Sequence, residues 1–120
     1  MNESAIVKFL AEQMRLHKTR TGFAVEVYNP NWELKTLQPF DPWNSIAHAW
    51  AVVEWLHKED WSLYLTSNPY GRTSAIFKRL QAEPNPEEAI VDGENSVPEA
   101  ICIAATRALA TDEQCKEWGL

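Results

Sequence analysis

Apolar and polar residues along the chain change period several times, and each change marks an element. Ile6, Phe9, Leu10 and Met14 recur at helical spacing, while Lys8, Glu12 and Arg15 fall largely elsewhere. This predicts an amphipathic helix over residues 3–16, with Asn2 as N-cap and Glu3 in the first turn. After Thr19-Arg20-Thr21-Gly22 the period drops to two. Phe23, Val25 and Val27 alternate with Ala24, Glu26 and Tyr28, the pattern of a half-buried strand. Asn29-Pro30-Asn31 reads as a turn, and Trp32, Leu34 and Leu37 continue as an edge-like strand ending at Pro39.

A longer helical pattern follows. Asp41-Pro42 has the form of a helix entrance, Asp at the cap and Pro at the first position, with Asn44 as the competing cap. The helix is predicted to run to about Lys58. At about 100° per residue, Ile46, Ala49, Trp50, Val53 and Leu56 gather on one flank, which is read as the core face. Trp61, Leu63 and Leu65 then alternate with Ser62, Tyr64 and Thr66 as a strand. Asn68-Pro69-Tyr70-Gly71 has type I turn chemistry, and a second strand from Thr73 to about Gln81 returns antiparallel with Ile76, Phe77 and Leu80. Pro84, Pro86 and Gly93 mark a loop in which Ala89-Ile90-Val91 offers a short further strand. Ser96 and Glu99 form a capping-box pattern at the head of a last helix, with Val97, Ile101, Ala104, Ala105 and Ala108 on one side. The order helix, strands, helix, hairpin, helix predicts an α+β fold, a small antiparallel sheet of three to five strands with helices packed on it. Residues 1–110 are read as the domain, and 111–120 as a tail or short appended helix carrying Trp118.

Three segments in order carry a resemblance. Phe40-Asp41-Pro42 leads into Ala49-Trp50-Ala51-Val52-Val53-Glu54; Trp61 opens a strand after a short break; Pro98-Glu99-Ala100-Ile101-Cys102-Ile103-Ala104-Ala105 closes the series. From Phe40 to Leu109 the chain resembles the phage ABA-sandwich domain family, short proteins encoded by tailed phages and prophages. The resemblance implies a sheet flanked by helices, a phage or prophage setting, and no catalytic residues. Leu16-His17 stands where that family commonly has Gly-Trp, and Trp55 where it usually has a polar residue.

Composition narrows the partners. The 120 residues suit one domain and one core, and six tryptophans are many for that length. A net charge of −6 opposes a phosphate backbone, so direct nucleic-acid binding is disfavoured. The basic cluster Arg15, His17, Lys18 and Arg20 sits where it complements a helix end. Glu83–Glu99 holds six acids and no Lys or Arg, which reads as a solvated loop or as a face for a basic partner. Cys102 and Cys115 make no disulfide framework, so a reducing, cytoplasmic compartment is expected. Residues 1–10 carry no signal pattern, and no apolar run approaches a membrane span.

Chemistry is sparse in the pattern. The four glycines form no phosphate loop, and no nucleophile elbow or zinc-ligand spacing is present. Glu54-x-x-His57 has the spacing of a metal-bridging pair but no second pair to complete one, and His57 equally suits a helix end. His48 with Glu59 or Asp60 is the remaining acid–base pairing. The expectation is a protein without catalysis, cofactor or metal.

One helix feature points to binding. Trp55 lies about 180° from Ile46, near His48 and Val52, so this flank is covered by the chain's own ends or exposed as an interface. Trp55, His48 and Val52, with Tyr70 and Arg72 at the hairpin tip, are the candidate binding residues. The first functional reading is a phage-encoded accessory protein that counters host defence by occupying a host or phage protein, self-association included. The alternative is sequestration of a small nucleotide signal, with Arg72, Lys78 and Arg79 on phosphates and Tyr70 or Trp43 stacked on a base.

Overall fold

A computed structural model describes residues 1–29, 31, 33–67, 73–79, 87–93 and 96–120, with residues 29, 67 and 87–93 described by their backbone. The first helix, α1, spans Glu3–Gln13. As the sequence predicts, the Asn2 side chain accepts from the Ala5 N–H at 3.1 Å and so caps it. It ends three residues earlier than the periodicity predicts. Arg15 turns into the left-handed region at φ 55°, and the Leu16 N–H reaches back to the Ala11 carbonyl at 3.0 Å.

The strands form two antiparallel sheets of three, where one sheet was expected. The first joins β1 (His17–Lys18), β2 (Phe23–Asn29) and β3 (Leu34–Pro39) in that order. The second joins β4 (Trp61–Ser67), β5 (Thr73–Arg79) and β6 (Glu87–Gly93). The physical reason is the helix between them. Helix α2 (Ile46–Lys58) packs against both β2 and β4, which keeps the two hairpins apart. In the β4–β5 hairpin Leu63 opposes Phe77 and Tyr64 opposes Ile76, so Trp61 and Phe77 turn inward and Tyr64 turns out. The tip residues 68–72, Trp32 and Leu80 lie outside the described residues.

β6 bears out the further strand offered at Ala89-Ile90-Val91 and lengthens it to Glu87–Gly93, which corrects the reading of this part of the acidic segment as a solvated loop. Residues 87–93 pair along the whole of β5, Glu87 opposite Arg79 and Glu88 opposite Lys78.

Two corrections concern α2. Its cap is Ser45, not Asp41 or Asn44: the Ser45 hydroxyl accepts from the His48 N–H at 3.3 Å. Asp41 is already engaged, since its carboxylate accepts from the Asn44 amide at 3.1 Å. The core face is also rotated. Ala49, Val52, Val53 and Leu56 are fully buried, with His48 beside them, whereas Ile46 is 52% and Trp50 47% exposed. The spacing of the four buried residues, i, i+3, i+4, i+7, centres the buried arc about 70° from Ile46. Periodicity counted Trp50 as apolar and His48 as polar; the fold buries the histidine because both its nitrogens find partners.

Helix α3 (Val97–Leu109) starts at Ser96, whose hydroxyl accepts from the Glu99 N–H as predicted. Its burial is not one-sided: Ala100 to Thr106 are buried in succession. The helix touches β5 and β6 as well as α1 and α2, so it occupies the centre of the sandwich. Three alanines across this span, Ala100, Ala104 and Ala105, let neighbours approach closely. Thr106 is accommodated by donating its hydroxyl to the Cys102 carbonyl at 2.8 Å. The tail forms a short helix, α4 (Asp112–Glu117), closed by a Thr111–Gln114 capping box. It returns to α1: Trp118 meets Phe9 at a 5.2 Å ring separation, and its carbonyl accepts from the Asn2 N–H at 2.9 Å.

Candidate functional site

His48 stands three residues into α2, where the first turn faces the β2–β3 hairpin. Its Nδ1 accepts from the Asp41 N–H at 2.9 Å. An accepting Nδ1 leaves the proton on Nε2, which lies 2.8 Å from Gln38 Oε1 and donates to it. The chain of donors continues without a break. Gln38 Nε2 donates to Thr36 Oγ1 at 3.3 Å, and the Thr36 hydroxyl donates to the Val27 carbonyl at 3.4 Å. Every group in the line both gives and takes in one direction, which assigns the histidine tautomer and the amide orientation together.

Burial pushes the His48 pKa below its usual 6.5, with the Asp41 charge acting weakly the other way. The geometry agrees, because a protonated Nδ1 would point its hydrogen at the Asp41 N–H. Phe40 is stacked on His48 with the rings nearly parallel, 6.3 Å between centroids. The cluster fastens the start of α2 to β3 and has no spare nitrogen for proton transfer. Glu59 and Asp60 lie beyond the far end of the helix, roughly 16 Å away at about 1.5 Å per residue. The acid–base pairing of His48 with either is therefore corrected.

The candidate binding flank is turned largely inward, in line with the reading that the chain itself covers it. Val52 is fully buried and His48 nearly so, and Trp55 is half-buried against the core. Trp55 borders a cleft of about 530 Å³ with Met14 and Arg15 from the end of α1, and with Trp61, Arg79 and Leu109. The N-terminal helix thus lies beside it, while Trp118 is occupied with Phe9. Tyr70 and Arg72 lie outside the described residues. Of the residues assigned to a nucleotide, the Lys78 ammonium sits 5.4 Å over the Tyr64 ring and the Arg79 guanidinium 5.8 Å over Trp61. Trp43 is half-buried against the core. Glu54 and His57 are both exposed, and among the described residues no three His, Cys, Asp or Glu side chains converge as metal ligands.

Besides Ile46 and Trp50, apolar surface that the helical pattern did not single out is accessible. Tyr28, Leu34 and Leu37 on the β2–β3 hairpin are each more than half exposed. Tyr28 opposes Lys35 and Leu37 opposes Glu26, so Tyr28 and Leu37 sit diagonally on one face between two charges. Strand alternation placed Tyr28 outward, and that was the available signal. Gln38 and the Asp41 backbone, which hold His48, left none: a polar residue near a strand end has no periodic signature.

These features define a small α+β sandwich protein whose buried polar cluster is a structural fastening. The chain belongs to the phage ABA sandwich domain family, whose model matches residues 8–106. No curated protein and no solved structure matches it. Among the described residues no helix is long and apolar enough to cross a membrane.

Proposed function

We propose that this phage protein acts by binding and not by turnover, as an accessory factor that occupies a host protein in the host cytoplasm, with counter-defence as its setting. The observation that carries the reading is the outer face of the β2–β3 hairpin. Tyr28 and Leu37 are large, apolar and exposed, and paired strands hold them in place. Apolar side chains already ordered by their backbone lose little entropy on docking, and aromatic anchors dominate interfaces of this kind. Glu26 and Lys35 beside them supply the polar rim. His48 supports the same reading, since both ring nitrogens are committed to the fold.

The test is affinity capture from host lysate with wild type and a Tyr28→Ala/Leu37→Lys variant side by side, followed by reconstitution from purified components. A host protein retained by wild type, lost with the variant and bound again in the purified pair is the expected result. Equal retention by both proteins, or no retained protein at all, overturns the assignment to this face.

A further inference from the structure

A sheet edge invites pairing unless something blocks it, and the four edges here are not treated alike. β1 is two residues long and basic. β3 carries Lys35 and ends on Pro39. β6 has Glu87, Glu88 and Asp92 in its sequence. Shortness, charge and proline are the usual protections. β4 has none of them: Trp61-Ser62-Leu63-Tyr64-Leu65-Thr66-Ser67 is seven residues without a charge or a proline. Among the described residues it pairs with β5 alone, so no strand lies along its other edge. Tyr64, Leu65 and Thr66 are exposed.

The sequence of that edge is also self-complementary. Ser62-Leu63-Tyr64-Leu65-Thr66 reads as the same chemistry in both directions. An antiparallel pairing of two copies centred on Tyr64 sets Leu63 against Leu65 on the inner face. It sets Ser62 against Thr66 on the outer face, and tyrosine against tyrosine at the axis. A two-fold interface requires a patch that complements itself, and this strand supplies one.

Helix α2 extends the patch. It meets β3 through His48 and also packs against α3 and β4. His57, on the adjoining exposed flank, shares a cleft with Trp61 and Ser62 at the start of β4. Ile46 and Trp50 lie on the same flank. Their exposure, unexplained by the monomer, is then accounted for by one occupant.

We propose that a second copy of this chain pairs with the free edge of β4, making a continuous six-stranded sheet with α2 beside α2 across the axis. This surface belongs to the other sheet from the β2–β3 face, and the two readings stand or fall separately. The test has two arms. In light scattering over a concentration series, wild type is expected to reach twice 13.7 kDa, and Leu65→Lys to remain a monomer with unchanged circular dichroism. In the second arm Tyr64→Cys is placed in a Cys115→Ser background and mildly oxidised, with Tyr28→Cys as control. Opposed residues at an antiparallel axis lie about 4.5–5.5 Å apart between Cα atoms, within disulfide reach, so Tyr64→Cys is expected to cross-link well ahead of the control. This arm holds even where Leu65→Lys fails to fold. A wild type that stays monomeric at every concentration, or a dimer in which Tyr64→Cys cross-links no faster than Tyr28→Cys, overturns the proposal.

Discussion

The Nε2 of His48 donates to the Oε1 of Gln38 across 2.8 Å, and through that bond the start of α2 is held to β3. The other nitrogen accepts the Asp41 N–H, so neither can be protonated further without breaking a bond. Burial of this ring couples a surface hairpin to the central helix layer.

That coupling predicts a pH dependence. The folded state resists protonation of His48 while the unfolded chain takes up a proton near the usual 6.5, so unfolding binds protons and stability rises with pH. The contribution is fully present above 6.5 and is lost as pH falls through and below it. His48→Asn keeps an acceptor for the Asp41 N–H and has nothing to titrate. The melting temperature of wild type is expected to fall more steeply on acidification than that of His48→Asn. Parallel curves would remove His48 as the source. His48→Ala, which strands the Asp41 N–H, is expected to cost about 2 kcal/mol at neutral pH.

The two tryptophans of α2 should separate cleanly. Trp55 packs against the core beside the end of α1, and Trp55→Ala is expected to cost about 2–3 kcal/mol, less than a fully buried indole. Trp50 is exposed, and Trp50→Ala should alter stability by less than about 0.5 kcal/mol while weakening self-association. Denaturant unfolding at fixed protein concentration checks the first; light scattering checks the second. Equal destabilisation by both would show that Trp50 is covered within the monomer.

The thiols should differ in reactivity. Cys102 is buried in α3, and burial raises its pKa far above the ordinary thiol range, with nearby carboxylates adding to the effect. Cys115, half-buried on α4, is raised as well, by burial first and then by Asp112, against Arg107. A thiol reagent is therefore expected to label Cys115 slowly in the native protein and to reach Cys102 only on denaturation. Rapid labelling of both in the folded state would contradict the central placement of α3.

Element positions were legible where local chemistry acts alone. Asn2 and Ser96 cap their helices because a short polar side chain beside free N–H groups needs no distant partner. Alternation from Phe23 and from Trp61 marked strands because one face of each is buried. The rotation of α2 was not legible. Ile46 and Trp50 are as apolar as any core residue, and which flank turned inward depended on β2, β4 and α3 all meeting the same helix. His48 counted against its flank until Gln38 and Asp41, neither marked by any pattern, were brought to its two nitrogens. The acids of 83–99 likewise hid how far β6 extends beyond Ala89-Ile90-Val91, since it pairs along the whole of β5.

By itself the sequence determined the α+β class, the order of elements, the caps, the β4–β5 hairpin and membership of a phage domain family, all of which follow from neighbours along the chain. Only the tertiary structure decided that the strands divide into two sheets, that α3 is enclosed on all sides, and which apolar side chains stay in water. Those outcomes depend on which surfaces meet, and a one-dimensional pattern records how apolar a residue is without recording what arrives to cover it.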